Sequence, residues 1–310
     1  MRHDTAGDPI SGIKWTRRTP GKIAGELQKL NIHVEVDTVA RLLRSMGYSL
    51  RANRKYLESG NKNPPSKEIR NQQFEFIGEL RDRFTFEGHA IISVDSKKRE
   101  LVGNFKNRGA TYVQEADAVF DHDFPSDARG VALPYGVYDI RRNHGSIYVG
   151  TSHDTAEFAV DNIKRWWLQI GQKCYRHPHP KLLILADCGG SNGARLRLWK
   201  ARLEASLCDC CNLSVTVSHY PPGASKYNPI EHRLLCEISK NWAGCPLRNY
   251  DTILNHIRTT KTKSGLRVRA KLITKHYKTG LRISDKEFKQ LRFEPADILP
   301  KWNYSIATRN

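Results

Sequence analysis

Three acidic residues stand where predicted secondary structure elements end or begin, and their placement suggests one shared site. Asp95 and Asp187 each close an apolar run, and that of residues 182–187 is unbroken and followed by two glycines. Such a run predicts a strand buried on both faces, with its carboxylate at the C-terminal edge. Glu231 follows Asn228 and a proline, which mark the first turn of a helix. Sites in open α/β sheets gather outside the carboxyl ends of strands, so we expect the three carboxylates to meet.

Three carboxylates on rigid elements suit the hydrolysis or transfer of a phosphodiester. That reaction is an in-line attack on a centre crowded with negative charge, and two Mg²⁺ ions about 3.5–4 Å apart can activate the attacking oxygen and stabilise the leaving one. Magnesium prefers oxygen ligands and commonly binds one or two carboxylates together with substrate phosphate. We hypothesise that Asp95 bridges two ions, that Asp187 and Glu231 each complete one site, and that the substrate is DNA.

Each acidic residue also has a purely structural interpretation. Asp187 could cap the turn before the next helix, and Glu231 lies three residues after Asn228, the spacing of a capping box. Asp95 could pair at the surface with a neighbouring lysine such as Lys97. Taken one at a time these readings are the simpler ones, whereas three acids in the right order of elements favour the metal site.

The order of predicted elements indicates the fold that positions these residues. Strands are predicted at 89–95, 131–140, 145–151, 181–187 and 213–220, with 100–105 as a hairpin partner of the first, and helices at 71–84, 154–171 and 193–207 and from Asn228 onwards. Three strands, a helix, a strand, a helix, a strand and a helix form the order of a ribonuclease-H-like fold. We therefore predict an α/β class protein, with a mixed sheet flanked by helices and an acid on the first strand, after the fourth strand and on a late helix.

The N-terminal part of the chain has the pattern of a helix-turn-helix. Apolar residues recur at helical spacing from residue 15 to 30 and again from 36 to Gly47, across a short break at 31–35. The second helix bears Arg41 and Arg44, and a basic tail that includes Arg51 follows. The pattern predicts a DNA-binding domain whose second helix enters the major groove. A plain helical hairpin with solvated arginines is the alternative.

Length and charge complete the domain picture. The 310 residues carry a formal charge of +19, which suggests a polyanionic partner. The balance is +6 over residues 1–75 and +9 over 251–310 but only +4 between them, as expected if the ends bind phosphate and the middle does chemistry, although ordinary solvated basic surface is the alternative. The predicted domains are a helix-turn-helix domain at 1–56, a linker at 57–70, a catalytic domain at 71–260 and a basic C-terminal extension at 261–310.

Other clusters point to chemistry less strongly. The seven cysteines lack paired zinc-finger spacing, so free thiols are favoured over a zinc site or disulfides. The Asp121-His122-Asp123 run lies in a polar loop, where a solvated role is the simpler interpretation. No apolar run approaches the ~20 residues of a membrane span and no secretory signal is visible, so we expect a soluble protein of the cytoplasm.

Four long sequence runs resemble a known family. They are DTAEFAVDNIKRWW, LLILADCGGSNGARLRLWK, HYPPGASKYNPIEHRL and NWAGCPL. They are similar to the bacterial DDE transposases called the Rhodopirellula transposase family, distant relatives of the mariner group, and the resemblance spans residues 15–306. Where family members usually have Thr and Trp on either side of the Ser-Lys pair, this chain has Ala224 and Tyr227, and Pro229 replaces a more polar residue. These departures spare the carboxylates.

The resemblance implies transposition of an insertion sequence. It implies binding of the element's terminal inverted repeats, cleavage of strands and joining to target DNA, with Asp95, Asp187 and Glu231 as the DDE triad and with two Mg²⁺ ions for which Mn²⁺ is expected to substitute. Since synapsis pairs two ends, a homodimer on DNA in the bacterial nucleoid is expected. The N-terminus begins in a broken-off helical region, from which we expect an upstream DNA-binding portion to be missing.

Four more residues lie close in sequence to the triad and carry groups that bind phosphate. His219, Lys226, His232 and Arg233 are expected to contact phosphate or to orient a carboxylate. Together with Arg41, Arg44 and Arg51 they form the predicted DNA-binding set.

Two other functions fit part of the sequence. One is a catalytically silent DNA-binding remnant or repressor of the element, and the other is a ribonuclease H or resolvase-type nuclease. An intact acidic triad argues against the first, and the helix-turn-helix at 21–47 is superfluous for the second.

Overall fold

The computed structural model describes residues 5–7, 14–16, 19–49, 65–224 and 227–309, with backbone alone at 5–7 and 14–16. The chain forms two compact units, residues 1–59 and 60–310. In the first unit, β1 (Thr5–Gly7) and β2 (Lys14–Thr16) pair antiparallel, so Trp15 lies in a strand and not at the start of the predicted helix.

Two short helices follow, as predicted. Helix α1 (Pro20–Gln28) begins at Thr19, whose side chain accepts from the Lys22 amide, and α2 (Val36–Ser45) begins after the predicted break. Gly47 ends α2 with a φ of 82°. Its amide donates to the Arg44 carbonyl and the Tyr48 amide donates to the Leu43 carbonyl, each over 2.9 Å, which are the two bonds of a Schellman motif. The pattern of apolar residues and the terminal glycine therefore predicted this hairpin correctly, apart from the start of α1.

The second unit contains seven helices in its described residues and a large sheet. The helices are α3 (Lys67–Phe86), α4 (Ala156–Trp166), α5 (Gln172–Cys174), α6 (Arg197–Leu203), α7 (Cys236–Asn241), α8 (Tyr250–Arg258) and α9 (Asp285–Lys289). The strands are β3 (Ala90–Ser96), β4 (Glu100–Val102), β5 (Gly130–Asp139), β6 (His144–Gly150), β7 (Lys181–Asp187), β8 (Ser214–Tyr220), β9 (Arg267–Ile273), β10 (Phe293–Pro295) and β11 (Asn303–Ile306). Three π-helical turns, at Trp167–Gly171, Glu204–Asp209 and Glu231–Leu235, adjoin α4, α6 and α7.

Strand β3 lies at the centre of the nine-stranded sheet. The order is β10-β11-β8-β7-β3-β5-β6-β9, and β4 pairs with β5. β3 runs parallel to β7 and antiparallel to β5, β7 runs parallel to β8, and β5 runs antiparallel to β6. This mixed sheet, with the first acidic strand at its centre, confirms the predicted fold class.

Strand β7 is buried on both faces, as its unbroken apolar run predicted. Leu182, Ile184 and Ala186 pack on the side of α4 and α6, whereas Leu183 and Leu185 pack on the side of α3. Each of these five side chains has no exposed surface. Since successive residues of a strand point to opposite faces, two helical layers cover the centre of the sheet and hold its strand ends rigidly.

The C-terminal segment is not the separate extension that its charge suggested. β9 pairs in parallel with β6, and β11 pairs antiparallel with β8, so residues 267–306 complete both ends of the sheet. In β9 the basic residues alternate with apolar ones: Arg267 and Arg269 are exposed, while Val268 is buried. Net charge over the segment concealed this period of two.

The predicted linker also ends earlier than expected. Helix α3 begins at Lys67, where the Ser66 side chain accepts from the Ile69 amide, so the last residues of the predicted linker are helical. Residues 50–64, which include the rest of that linker, lie outside the described residues. Among the helices that the structure describes, none has both the length and the apolar character that crossing a bilayer requires.

Two glycines let the turn that carries Glu231 rest directly on the sheet. A Cβ atom at Gly136 would lie 2.6 Å from Ile230 Cδ1, and one at Gly145 would lie 2.4 Å from Leu234 Cδ1. Both distances are far below ordinary contact, so a side chain at either position would push the turn outwards. The close approach of the turn therefore depends on the absence of a Cβ at these points.

We predict that Gly136→Ala and Gly145→Ala each lower the free energy of unfolding by about 1–3 kcal/mol, because the added methyl group overpacks the interface. Gly78→Ala is the matched control: it lies in α3 with open space around it and should stabilise by about 0.5–1 kcal/mol. Urea unfolding measures all three. An unchanged midpoint for both sheet variants would contradict this description of the packing.

Candidate active site

Two of the predicted acids lie at equivalent positions at the C-terminal ends of neighbouring strands. Val94 of β3 is paired with Ala186 of β7 in the parallel ladder, so the next residues, Asp95 and Asp187, stand side by side. Neighbouring strands lie about 4.8 Å apart, which brings the two carboxylates within reach of a common ion. The amide of Ser96 donates to Asp95 Oδ1 over 2.7 Å and fixes the orientation of that side chain.

The third acid is held against these strands by Asn228. The Ser93 hydroxyl donates to Asn228 Oδ1 and accepts from the Ile230 amide over 3.1 Å. Asn228 Nδ2 in turn donates to Asp187 Oδ1 over 3.3 Å. Asn228 is fully buried, and three residues later Glu231 opens the π-helical turn. Turns of this type occur frequently at functional sites.

The carboxyl groups perturb one another strongly. Burial raises the pKa of Asp95 to about 8, assisted by the charge of Asp187 and by a hydrogen bond to Glu231 that holds the proton on Asp95. Burial also raises the pKa of Asp187 to about 6, assisted by the charge of Glu231, while the hydrogen bond from Asn228 opposes this shift. The structure therefore brings the three predicted acids together at one end of β3 and β7.

The structural alternatives for these residues do not match the contacts. Lys97 pairs with Glu100 over 2.8 Å rather than with Asp95. The helix after Asp187 begins only at Arg197, and no side chain caps it. The side chain of Asn228 bonds β3 and Asp187, so it is not the cap of a capping box with Glu231.

A fourth carboxylate lies beside the site and was missed by the sequence analysis. Asp154 keeps an exposed surface, but desolvation by its surroundings raises its pKa, and hydrogen bonds from Ser191 and Ser96 partly offset that shift. The two serine hydroxyls lie 3.4 Å from each other. The helix was predicted to start at Asp154, but its cap is Thr155, which accepts from the Phe158 amide. An acid next to a capping threonine was the only sequence signal.

The prediction that His219 contacts DNA is wrong. This side chain is fully buried, and its ring nitrogens lie 2.9 Å from the Asn192 carbonyl and 3.0 Å from the Trp302 carbonyl. Burial lowers the pKa of His219, although both carbonyls favour a protonated ring. His219 instead links the loop after Asp187, through Asn192, to the segment before β11, through Trp302. In that loop Asn192 also accepts from the Tyr135 hydroxyl over 2.9 Å.

The other predicted DNA-binding residues remain predictions. His232 and Arg233 are exposed on the turn that follows Glu231. Arg41 and Arg44 are exposed on α2, in the other unit. Arg51 and Lys226 lie outside the described residues.

The acidic residues have the chemistry of a divalent metal site. In the described residues no group of three or more His, Cys, Asp or Glu side chains is already disposed to hold a metal ion. The donors nevertheless fit such a cation. They are hard oxygen ligands on rigid elements, and a cation would relieve their mutual repulsion.

Several solved structures are similar to the chain, and all are of Mos1 transposase. The paired-end complex with the left transposon end is 15% identical with a TM-score of 0.43, over 76% of this chain and 64% of that chain. The strand transfer complex is 16% identical with a TM-score of 0.43, over 76% and 63%. The mariner paired-end complex with Mn is 16% identical with a TM-score of 0.43, over 76% and 64%. The chain thus spans less than two thirds of these transposases.

Among curated proteins no similar sequence was found. The family model described as the Rhodopirellula transposase DDE domain, by contrast, matches residues 1–308, nearly the whole chain. That match covers all three acidic residues as well as the glycines and Asn228 that position them. The chain therefore belongs to the Rhodopirellula transposase DDE domain family.

Proposed function

We propose that the protein is the DNA transposase of an insertion sequence, which cleaves the ends of the element and joins them to target DNA. The observation that carries this proposal is the meeting of Asp95, Asp187 and Glu231 at one end of the sheet, in a chain of a DDE transposase family. A silent DNA-binding remnant would have no need to keep three carboxylates crowded together in a half-buried position.

The three acids are proposed to bind the divalent metal cofactor together. Asp95, Asp187 and Glu231 would hold two Mg²⁺ ions, or Mn²⁺ in their place, with Asp95 in contact with both; when bound, the ions activate the attacking oxygen and stabilise the leaving oxygen. The Ser96 amide orients Asp95, and Asn228 orients Asp187 through its amide group. The residues of β3 and β7 that precede Asp95 and Asp187 are buried and keep water from that side of the site, which strengthens its charge interactions.

DNA would be bound at more than one place. Arg41, Arg44 and Arg51 would contact the terminal inverted repeats, and Lys226, His232 and Arg233 would contact phosphates near the cleavage point. Pairing of two ends would bring two copies of the chain together on DNA. Since the substrate is chromosomal, we place the protein in the bacterial cytoplasm, at the nucleoid.

The cleavage prediction is tested on a supercoiled plasmid that carries the element's ends. With Mg²⁺ the wild type should nick it, and Asp187→Ala should be slower by about a thousandfold, the equivalent of about 4 kcal/mol of lost transition-state stabilisation. Asp123→Ala, an exposed acid in a loop, is the control and should nick like the wild type. Equal nicking by Asp187→Ala, or no nicking by the wild type, would contradict the proposed transposase activity. Binding to the ends without nicking would favour the catalytically silent remnant.

A second prediction concerns stability without metal. The pKa of Asp95 is about 8 in the folded protein, whereas the ordinary value of 3.8 applies to the unfolded chain. The folded state therefore binds the proton more tightly and loses stability as pH rises between about 4 and 8. Asp95→Asn should therefore raise Tm near pH 8, by about 2–4 °C for each kcal/mol gained. Mg²⁺ should raise the Tm of the wild type and not that of Asp95→Asn.

Thermal unfolding at several pH values, with and without Mg²⁺, measures this effect. Asp123→Asn removes the same charge from an exposed position and serves as the control, with no change expected. A Tm for Asp95→Asn that stays below the wild type at pH 8 without metal would show that the carboxylate is not under electrostatic strain.

The helix-turn-helix prediction is tested by binding to a duplex of the terminal repeat. Arg41→Ala and Arg44→Ala should each weaken binding by about 1–3 kcal/mol if they contact bases, and should weaken binding to unrelated DNA much less. Lys29→Ala is the control, because its ammonium pairs with Glu26 over 2.9 Å on α1. Equal losses on repeat and unrelated duplexes would mean that α2 does not read sequence.

A further inference from the structure

A cavity of about 380 Å³ opens between β6, β9 and the π-helical turn after α4. Its walls carry four cationic side chains, of Arg142, Lys173, Arg267 and Arg269. The ladder between β6 and β9 places the last two arginines beside His144 and Ser146. Among the described residues that line the cavity, none is acidic.

The cavity lies on the face of the sheet opposite the acidic residues. Ser146 is two residues from Tyr148 on β6, so both point to the face covered by α4. Asp95 is four residues from Ile91 on β3, so both point to the face covered by α3. Strand β9 is also three strands away from β3, or about 14 Å across the sheet. A ligand in this cavity would therefore not be the group that reacts at the acidic site.

The four cations are little used within the fold, where the charge of Arg142 acts on the buried Asp139. In the described part of the chain none of them forms an ion pair, whereas Lys275, two residues past the end of β9, pairs with Asp161 over 2.8 Å and with Glu157 over 3.8 Å. The carboxylate near the cluster, Asp139, is buried and accepts from the Tyr175 hydroxyl over 2.6 Å. Four like charges around one cavity repel one another, and an anion would remove that repulsion.

The local positive potential is visible at His144. Burial lowers the pKa of this imidazole most, and the charges of Arg142, Arg267 and Arg269 lower it further, against the influence of Asp139. The histidine is thus neutral in the absence of an anion and available as a hydrogen-bond partner at the cavity wall.

The shape of the cationic surface fits a nucleic acid backbone better than a small anion. β9 is an edge strand, and Arg267 and Arg269 are followed at the same spacing by the exposed Lys271, so three cations stand about 6.6 Å apart in a row. A regular row of cations suits the regularly repeated negative charges of a DNA backbone, whereas a single small anion would meet only one of them. Arginine binds phosphate through two parallel hydrogen bonds.

We propose that Arg142, Lys173, Arg267 and Arg269 form a binding site for the phosphate backbone of a DNA segment other than the one at the acidic residues. The choice of DNA as ligand rests on the proposed function, but the site does not depend on the cleavage chemistry. It can therefore be tested without Mg²⁺ and with duplexes that lack the element's ends.

Cys174 supplies a reporter inside the cavity. It is an exposed free thiol in the wall, and Cys210 is an exposed free thiol outside it. At a duplex concentration about ten times Kd, alkylation of Cys174 in the full chain should slow about tenfold, since only the unbound fraction reacts. Alkylation of Cys210 should not change. Peptide mass spectrometry measures both thiols in the same molecule.

Paired variants separate binding from folding. Arg267→Gln/Arg269→Gln should abolish the protection of Cys174 and lower the slope of log K against log salt by about 1.8, or 0.9 for each lost phosphate contact. Arg267→Lys/Arg269→Lys keeps the charge and should keep most of both effects. Lys286→Gln/Lys289→Gln removes the same charge from exposed positions on α9 and should change neither.

Three outcomes would overturn the proposal. They are equal protection of Cys174 and Cys210, a salt slope that falls no more for the arginine pair than for the lysine pair, and protection by inorganic phosphate without protection by DNA. The plasmid assay fails or succeeds independently. Protection of Cys174 without nicking would support this DNA-binding site and contradict the transposase activity. Nicking without protection would support the transposase activity and contradict the site.

Discussion

The crowding of three half-buried carboxylates at one point is the constraint on which the rest of the second unit depends. Burial and neighbouring charge raise the pKa of Asp95 to about 8 and of Asp187 to about 6, so the folded chain holds these groups in a state that water would not favour. Such an arrangement persists only when the surrounding structure over-determines it. Two parallel strands with helices on both faces, and the hydrogen bonds of Asn228, provide that rigidity.

The supports come from distant parts of the chain. Gly136 and Gly145 let the turn of Glu231 approach the sheet, and His219 links the loop after Asp187 to the segment before β11. The C-terminal strands, which seemed from charge alone to be an appendage, therefore take part in holding the site. Lys200 adds to this link, because its ammonium lies 4.6 Å from the centre of the Phe293 ring on β10 and is nearly buried.

Local signals predicted the centre of the fold well. The apolar run before Asp187, the helical spacing before Gly47 and the order of the acidic residues were enough for the sheet centre and for the helical hairpin, because period and burial are written in neighbouring residues. The placement of three acids at the ends of predicted elements indicated the triad, the family resemblance implied the same three residues, and the structure brings them together. The catalytic roles themselves remain a proposal.

Features set by long-range packing were not predictable in the same way. β9 pairs with a strand more than a hundred residues earlier, and its alternation was hidden under a high net charge. His219 looked like a phosphate ligand because nothing in its neighbours reveals that two carbonyls from distant segments enclose it. Asp154 was predicted only as the first residue of a helix, and the three-dimensional contact with Ser96 and Ser191 reveals its place beside the site.

The most direct test of the central claim is anomalous X-ray diffraction from crystals soaked in Mn²⁺. The arrangement of carboxylates predicts one or two peaks among the oxygens of Asp95, Asp187 and Glu231, at distances of about 2–2.3 Å, and their loss in Asp95→Asn. Manganese bound elsewhere, or no peak at saturating concentration in a crystal that leaves the site open, would contradict it.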